Sequence, residues 1–206
     1  GGATVIGSIL GFLFKKISHK FSDIVLAFAA GVMLCAAITG LILPALEHPG
    51  PMPLLVTVAG VFCGAAFLTV LDRVIPHLHR LAGVEQEAHP GENAKVNKIL
   101  LFVMAIAIHN LPEGIAAGVG FGAGEEYTTR ALMIAGGIAL QNIPEGMVII
   151  GPMLAAGIRP GKTLAIALGT GLVEVVGTLI GYFAVTVSAA ILPFALAFAG
   201  GTMLYI

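Results

Sequence analysis

The chain has 206 residues, 58% hydrophobic and 10% charged, with a mean hydropathy of +1.02 and a formal net charge of -1. Soluble domains carry about a quarter of their residues as charges, so this composition excludes an ordinary soluble globule and points to a polytopic membrane protein. Near-neutral charge without a basic tract excludes nucleic acid as a partner.

Apolar runs separated by Pro, Gly and charge predict seven helices, over residues 1–14, 22–46, 53–75, 98–122, 131–156, 163–188 and 191 onward. The runs are hydrophobic all round, which favours helices over barrel strands alternating at period two. The first residue is Gly1 rather than Met, and the last run stops at Ile206, short of the roughly 20 residues that cross a bilayer. The chain therefore reads as a fragment cut at both ends, with a signal peptide neither visible nor excluded.

In chain order, the first predicted helix pairs Gly7 with Gly11 at helical spacing, and Lys15, Lys16 and Lys20 follow it. The second holds Met33 near its middle, where methionine is ordinarily core filler but can offer a soft thioether ligand. Cys35 and Cys63 both fall in apolar runs and read as small packing residues, not as a disulfide or CxxC site. The third helix carries Gly60 and Gly64, the fourth Gly114, Gly118 and Gly122, and the sixth Gly177 and Gly181. Small faces of this kind let helix backbones approach closely.

Arg73, Arg80, Lys95 and Lys98 surround the loop after the third helix, and Arg159 and Lys162 follow the fifth, so only Arg130 lies on the opposite side. The positive-inside rule then makes the basic loops cytoplasmic and starts Gly1 outside. The outer loops carry Glu47, Glu125 and Glu126, a bias that would gather cations if it were more than a solvated surface.

The fourth and fifth helices repeat one hexapeptide, "HNLPEG" at 109–114 and "QNIPEG" at 141–146. Glu113, Glu145 and, in the sixth helix, Glu174 fall near the middle of their runs, where each charged residue costs about 2.5 to 3.5 kcal/mol to insert. No Lys or Arg sits at that depth to pair with them, so the carboxylates must hold protons or a cation. His109 with Glu113 and Gln141 with Glu145 share a helix face at a spacing of four, and Asn110 with Glu113 and Asn142 with Glu145 at three. Imidazole and carboxylate suit Zn²⁺ and other first-row divalent ions, amide oxygens add harder ligands, and a pure proton relay needs no amides. Pro112 and Pro144 lack an N–H and crowd the carbonyl four residues back, which predicts kinks near Ile108 and Leu140 around a central ion site.

The paired hexapeptides resemble the ZIP (Zrt-, Irt-like) family of divalent metal transporters, above all its bacterial members, and the resemblance spans nearly the whole chain from "GFLFKKIS". It implies an all-α polytopic membrane protein, a helical bundle of the ZIP type with eight helices of which about seven are visible, forming a single transporter domain over residues 1–206. It further implies a binuclear metal centre. One site would use Met33, His109, Glu113, Gln141 and Glu145, and the second Asn110, Glu113, Asn142, Glu145 and Glu174, with Glu113 and Glu145 bridging. The implied cargo is Zn²⁺, with Cd²⁺, Fe²⁺ and Mn²⁺ as further candidates, moved toward the cytoplasm by an elevator-like shift. Some bacterial relatives carry Asp where Asn142 stands, so the second site here has one less negative charge. Divalent ions and the bilayer of the bacterial inner membrane are the implied partners, together with a homodimer; no cofactor and no enzymatic activity are implied.

Residues 76–97 read as a cytoplasmic, His-containing loop. In the family such loops collect metal, and Asp72, His77 and His79 match an exit-side cluster. His19, His48 and His89 read as surface histidines. Two rivals remain. A membrane metal sensor would bind without moving its ion. An intramembrane metallohydrolase would need HExxH, whereas the spacing here is HxxxE, with no second nearby His and no open coordination position.

Overall fold

The computed structural model describes residues 1–13, 19–81 and 93–205, and among them every regular element is helical. Helix α1 spans Gly2–Leu13, and α2 begins as His19–Cys35 and runs on through a π-helical stretch, Ala36–Ile42, into Leu43–Glu47. Then come α3 (Pro53–Leu81), α4 (Asn93–Gly122), α5 (Thr128–Ala155), α6 (Pro160–Val187) and α7 (Leu192–Tyr205). The breaks use residues that cannot continue a helix. Gly124 and Gly157 take φ of 108° and 79°, a region open to glycine, and Pro53 and Pro160 start the helices that follow their turns.

Four stretches among the described residues are long and apolar enough to cross a bilayer, namely Asp23–Glu47, Pro53–Leu71, Glu125–Ala155 and Pro160–Val187. Large apolar side chains cover the exterior, with Phe62, Leu13 and Val187 among the most exposed. On a soluble protein this surface would aggregate, whereas lipid solvates it.

The glycines singled out in the sequence hold the bundle together in three close pairs. Between α4 and α6, a Cβ at Gly114, Gly118 or Gly122 would run into the carbonyl of Glu174, Thr178 or Tyr182. The contact is reciprocal, since a Cβ at Gly177 or Gly181 would strike the carbonyl of Leu111 or Ile115. Gly7 abuts the Ile143 carbonyl and Gly146 that of Thr4, which pairs α1 with α5; Gly64 abuts Phe198 and Gly201 abuts Val61, which pairs α3 with α7. A buried cluster including Leu41, Val119, Ile138 and Met203 joins α2, α4, α5 and α7. A smaller one, Val103, Ile106, Ile149 and Met153, fills the end of α4 and α5 nearer the basic loops.

One expectation changes. Residues 76–81 and 93–97 extend α3 and α4 instead of forming loop, and 82–92 lie outside the described residues. Helices α4 and α5 continue as helix through Pro112 and Pro144, the prolines of the expected kinks, because local adjustment and neighbouring helices can absorb a missing hydrogen bond in lipid. The irregularity falls in α2, where the Leu43 N–H bonds to the Ile38 carbonyl five residues back. Pro44 explains it: the ring cannot donate to Gly40 and would crowd that carbonyl, and the wider π turn relieves both conflicts.

Gly118→Ala should cost about 1–3 kcal/mol by forcing α4 and α6 apart, whereas Gly136→Ala meets nothing within 4 Å. Thermal unfolding in detergent should show a lower midpoint for the first and no loss for the second. Equal losses would contradict the close backbone contact.

Candidate metal centre

Helix α4 presents His109, Asn110 and Glu113 within one turn or so, and α5 presents Gln141, Asn142 and Glu145 in the same way. Met33 of α2 faces the same place, and a cavity of 190 Å³ is lined by Met33, His109, Glu113, Gln141 and Glu145. The apolar Leu26, Ala29 and Ala30 complete its wall. Since one water occupies about 30 Å³ in the liquid, a metal ion with bound water fits. All five residues of the first implied site thus meet around one space.

The second set lies deeper. Asn110, Glu113, Asn142 and Glu174 are buried, while Glu145 is half-buried. Asn142 Nδ2 donates to Glu174 Oε2 at 2.9 Å, and Gln141 Nε2 donates to Glu113 Oε1 in a short contact. Glu113 also lies within reach of the Asn142 amide and of the charges on Glu145 and Glu174. Asn110 Nδ2 donates to the Thr170 carbonyl at 3.0 Å, one turn before Glu174 on α6.

The last glycine of each hexapeptide fixes this geometry. Gly114 lets the backbone of α6 close on α4 at Glu174 itself, and so delivers that carboxylate beside Glu113. Gly146 does the same for α1, whose Ser8 Oγ reaches the Gly146 carbonyl at 3.4 Å as well as its own Thr4 carbonyl at 2.8 Å. A repeated motif thereby seats a different neighbour on each of the two central helices.

Four buried oxygens, Asn110 Oδ1, Glu113 Oε2, Gln141 Oε1 and Asn142 Oδ1, have no hydrogen-bond donor among the described residues. Buried acceptors are ordinarily satisfied, and four unsatisfied ones around three carboxylates suit a cation. No three His, Cys, Asp or Glu side chains among the described residues form a ligand group by themselves. Amide oxygens and the Met33 thioether are therefore needed to complete any coordination sphere.

Other candidates fare differently. Asp72, His77 and His79 occupy the last turns of α3, and their side chains, like that of His19, lie outside those described, as does His89 altogether. His48 is more than a solvated residue, because its Nδ1 lies 3.5 Å from the Tyr127 hydroxyl beside a cavity. Cys35 and Cys63 are free and exposed, which corrects their reading as packing residues. An apolar run does not distinguish exposed positions from packed ones.

A profile described as ZIP zinc transporter matches residues 76–206. The chain is 40% identical over 212 residues to the zinc transporter GufA of Myxococcus xanthus, covering 100% of this chain and 81% of that protein. Zinc transporter ZIPB of Bordetella bronchiseptica is 35% identical over 99% of this chain, which spans 66% of its length. Zinc transporter ZupT of Chlorobium chlorochromatii is 33% identical over 89% of this chain and 71% of its own.

Asn142→Asp removes the amide donor to Glu174 and puts another carboxylate beside it. With a chelator present the variant should melt earlier, by the equivalent of about 1–3 kcal/mol, and added zinc should raise its midpoint more than it raises that of the parent. Equal zinc shifts in the two proteins would count against Asn142 as a ligand position.

Proposed function

The chain belongs to the ZIP family of zinc transporters, and on that premise we propose that it moves divalent transition-metal cations, Zn²⁺ foremost, toward the cytoplasm through a binuclear midplane centre. The observation that carries the proposal is the meeting of Met33, His109, Glu113, Gln141 and Glu145 around one cavity, backed by the four unsatisfied buried oxygens. His109 supplies the imidazole and Glu145 the partly accessible carboxylate of the first site. Glu113 and Glu145 bridge to a second ion held by Asn110, Asn142 and Glu174. Mixed N, O and S donors also accept Cd²⁺, Fe²⁺ and Mn²⁺.

Charge and hydrogen bonding favour a centre that cycles between ions. Three ionised glutamates carry -3, one divalent cation leaves -1 and two leave +1, so either loading is close to neutral at a depth where net charge is costly. Between cargo ions the carboxylates still need donors, which the amide nitrogens of Gln141 and Asn142 supply. Rotating each amide by a half-turn turns its oxygen toward the ion. The same side chains thus serve the empty and the loaded centre.

Movement follows the packing. The α1–α5 and α4–α6 pairs touch one another and carry six of the seven N and O ligand residues on α4 and α5, with Glu174 on α6. The α3–α7 pair and α2 form the flank against which that body would slide in an elevator-like step. The inner membrane, with the basic loops cytoplasmic, is the proposed setting.

Zinc uptake into proteoliposomes holding the full-length protein should fall by roughly tenfold or more in His109→Ala and in Glu145→Ala. Uptake unchanged in both would contradict the pathway. Zinc bound by the parent protein without uptake would identify a sensor instead.

A further inference from the structure

One face at the start of α5 carries four unlike residues in register. Glu126 of the 3₁₀ turn Glu125–Tyr127, then Arg130, Met133 and Gly137, follow at spacings of four, three and four, so an acid, a base, an apolar chain and bare backbone lie one below the next. Two cavities open along this face. The first, of 640 Å³, is lined by Glu126, Tyr127, Thr129, Arg130 and Met133, and by His48 at the end of α2. The second, of 460 Å³, continues it, since Arg130 and Met133 wall both, and runs between α5 and α2 along Val32, Ala36, Ile134 and Gly137.

Arg130 lies five residues inside the apolar span Glu125–Ala155, with Leu132 59% and Met133 71% exposed beside it. A guanidinium at the edge of the hydrocarbon needs an anion or water. Glu126 stands four residues before it, the order that favours an ion pair on a helix, yet among the described residues no ion pair joins the two. The first cavity therefore offers a positive and a negative group separately. His48 Nδ1 and the Tyr127 hydroxyl, 3.5 Å apart, close its wall on the α2 side. The second cavity suits an apolar guest, because its polar wall groups on α2 are satisfied by each other. Thr39 Oγ1 donates to the Cys35 carbonyl at 2.7 Å and lies 3.7 Å from Cys35 Sγ.

We propose that the two cavities together bind one phospholipid with a phosphoethanolamine headgroup, its ammonium on Glu126, its phosphate on Arg130 and one acyl chain in the groove between α2 and α5. The order of groups in the lipid is the order along the helix. Inward from the Glu125–Tyr127 turn, α5 presents acid, base and apolar wall, and the lipid presents ammonium, phosphate and hydrocarbon. An anionic headgroup without an ammonium would leave Glu126 beside a like charge, and a quaternary ammonium has no N–H to donate to the carboxylate. The Thr129 hydroxyl adds a donor for the phosphate. The groove narrows where a Cβ at Gly137 would sit 3.3 Å from Val32 Cγ1, one turn short of Gln141. The lipid thus joins α2 to α5 without touching a metal-ligand residue, and its site does not depend on the transport reading.

Native mass spectrometry of the full-length protein in mild detergent tests the site, with phosphatidylethanolamine, phosphatidylglycerol or phosphatidylcholine of one acyl composition added in turn. The first should bind as a single copy roughly tenfold more tightly than the other two, and Arg130→Gln should weaken it by roughly tenfold. Arg130→Lys should keep most of the affinity, and Glu126→Gln should abolish the preference over phosphatidylglycerol. Arg130 and Glu126 are exposed, so these variants keep the packing of the bundle. Phosphatidylethanolamine should also raise the melting midpoint of the parent protein, whereas glycerophosphoethanolamine, which has no acyl chains, should not. Equal affinity of the parent for all three lipids, or unchanged binding in Arg130→Gln, would overturn the headgroup site. A melting shift from the chainless headgroup equal to that from the lipid would overturn the acyl groove. Zinc uptake is no part of either readout, so failure here leaves the transport reading standing.

Discussion

Glu113, Glu145 and Glu174 fall near the middle of apolar helices, and among the described residues no lysine or arginine side chain pairs with them. Each would cost about 2.5 to 3.5 kcal/mol as an isolated charge at the helix centre, so the structure around them is organised by the need for compensation. Amide nitrogens of Gln141 and Asn142 answer part of it at Glu113 and Glu174. What is left over is a set of buried oxygens that only a cation, or reoriented donors, can satisfy.

That requirement explains why the bundle is so tightly paired. Carboxylates on three helices can share ions only if the helices nearly touch, and at Gly114 the α4 and α6 backbones do so beside Glu174 itself. Larger residues there would move Glu174 outward and separate it from Glu113. The duplicated hexapeptide thus combines two jobs in six residues, donors at its start and a contact surface at its end. Proline in the fourth place of each is tolerated inside a continuous helix.

Much of this was legible from sequence because the signals are local. Hydropathy marked all seven helices, and glycines at a spacing of four marked the faces that close. Depth within the runs picked out Glu113, Glu145 and Glu174, and helical spacing put His109 and Gln141 on the same faces as two of them. The resemblance to a family was needed to bring in Met33, since nothing in an apolar run separates a ligand methionine from filler. Other features depend on tertiary contacts and left fainter traces. Pro44 was the visible cause of the π-helical stretch in α2, but a proline in a membrane helix predicts a disturbance without its form, and at Pro112 and Pro144 the helices run on without a break. The exposure of Cys35 and Cys63 follows from how the helices lean on one another, which no periodicity encodes.

The central claim is that these side chains coordinate the metal directly and in a pair. X-ray absorption at the zinc edge, on full-length protein loaded with two equivalents of zinc, reports the ligands and any neighbouring metal. A shared centre predicts N and O neighbours at about 2.0–2.2 Å with imidazole scattering that disappears in His109→Ala, and a zinc–zinc distance of about 3.5–4 Å. A spectrum that is the same in His109→Ala and lacks any metal–metal feature would contradict it.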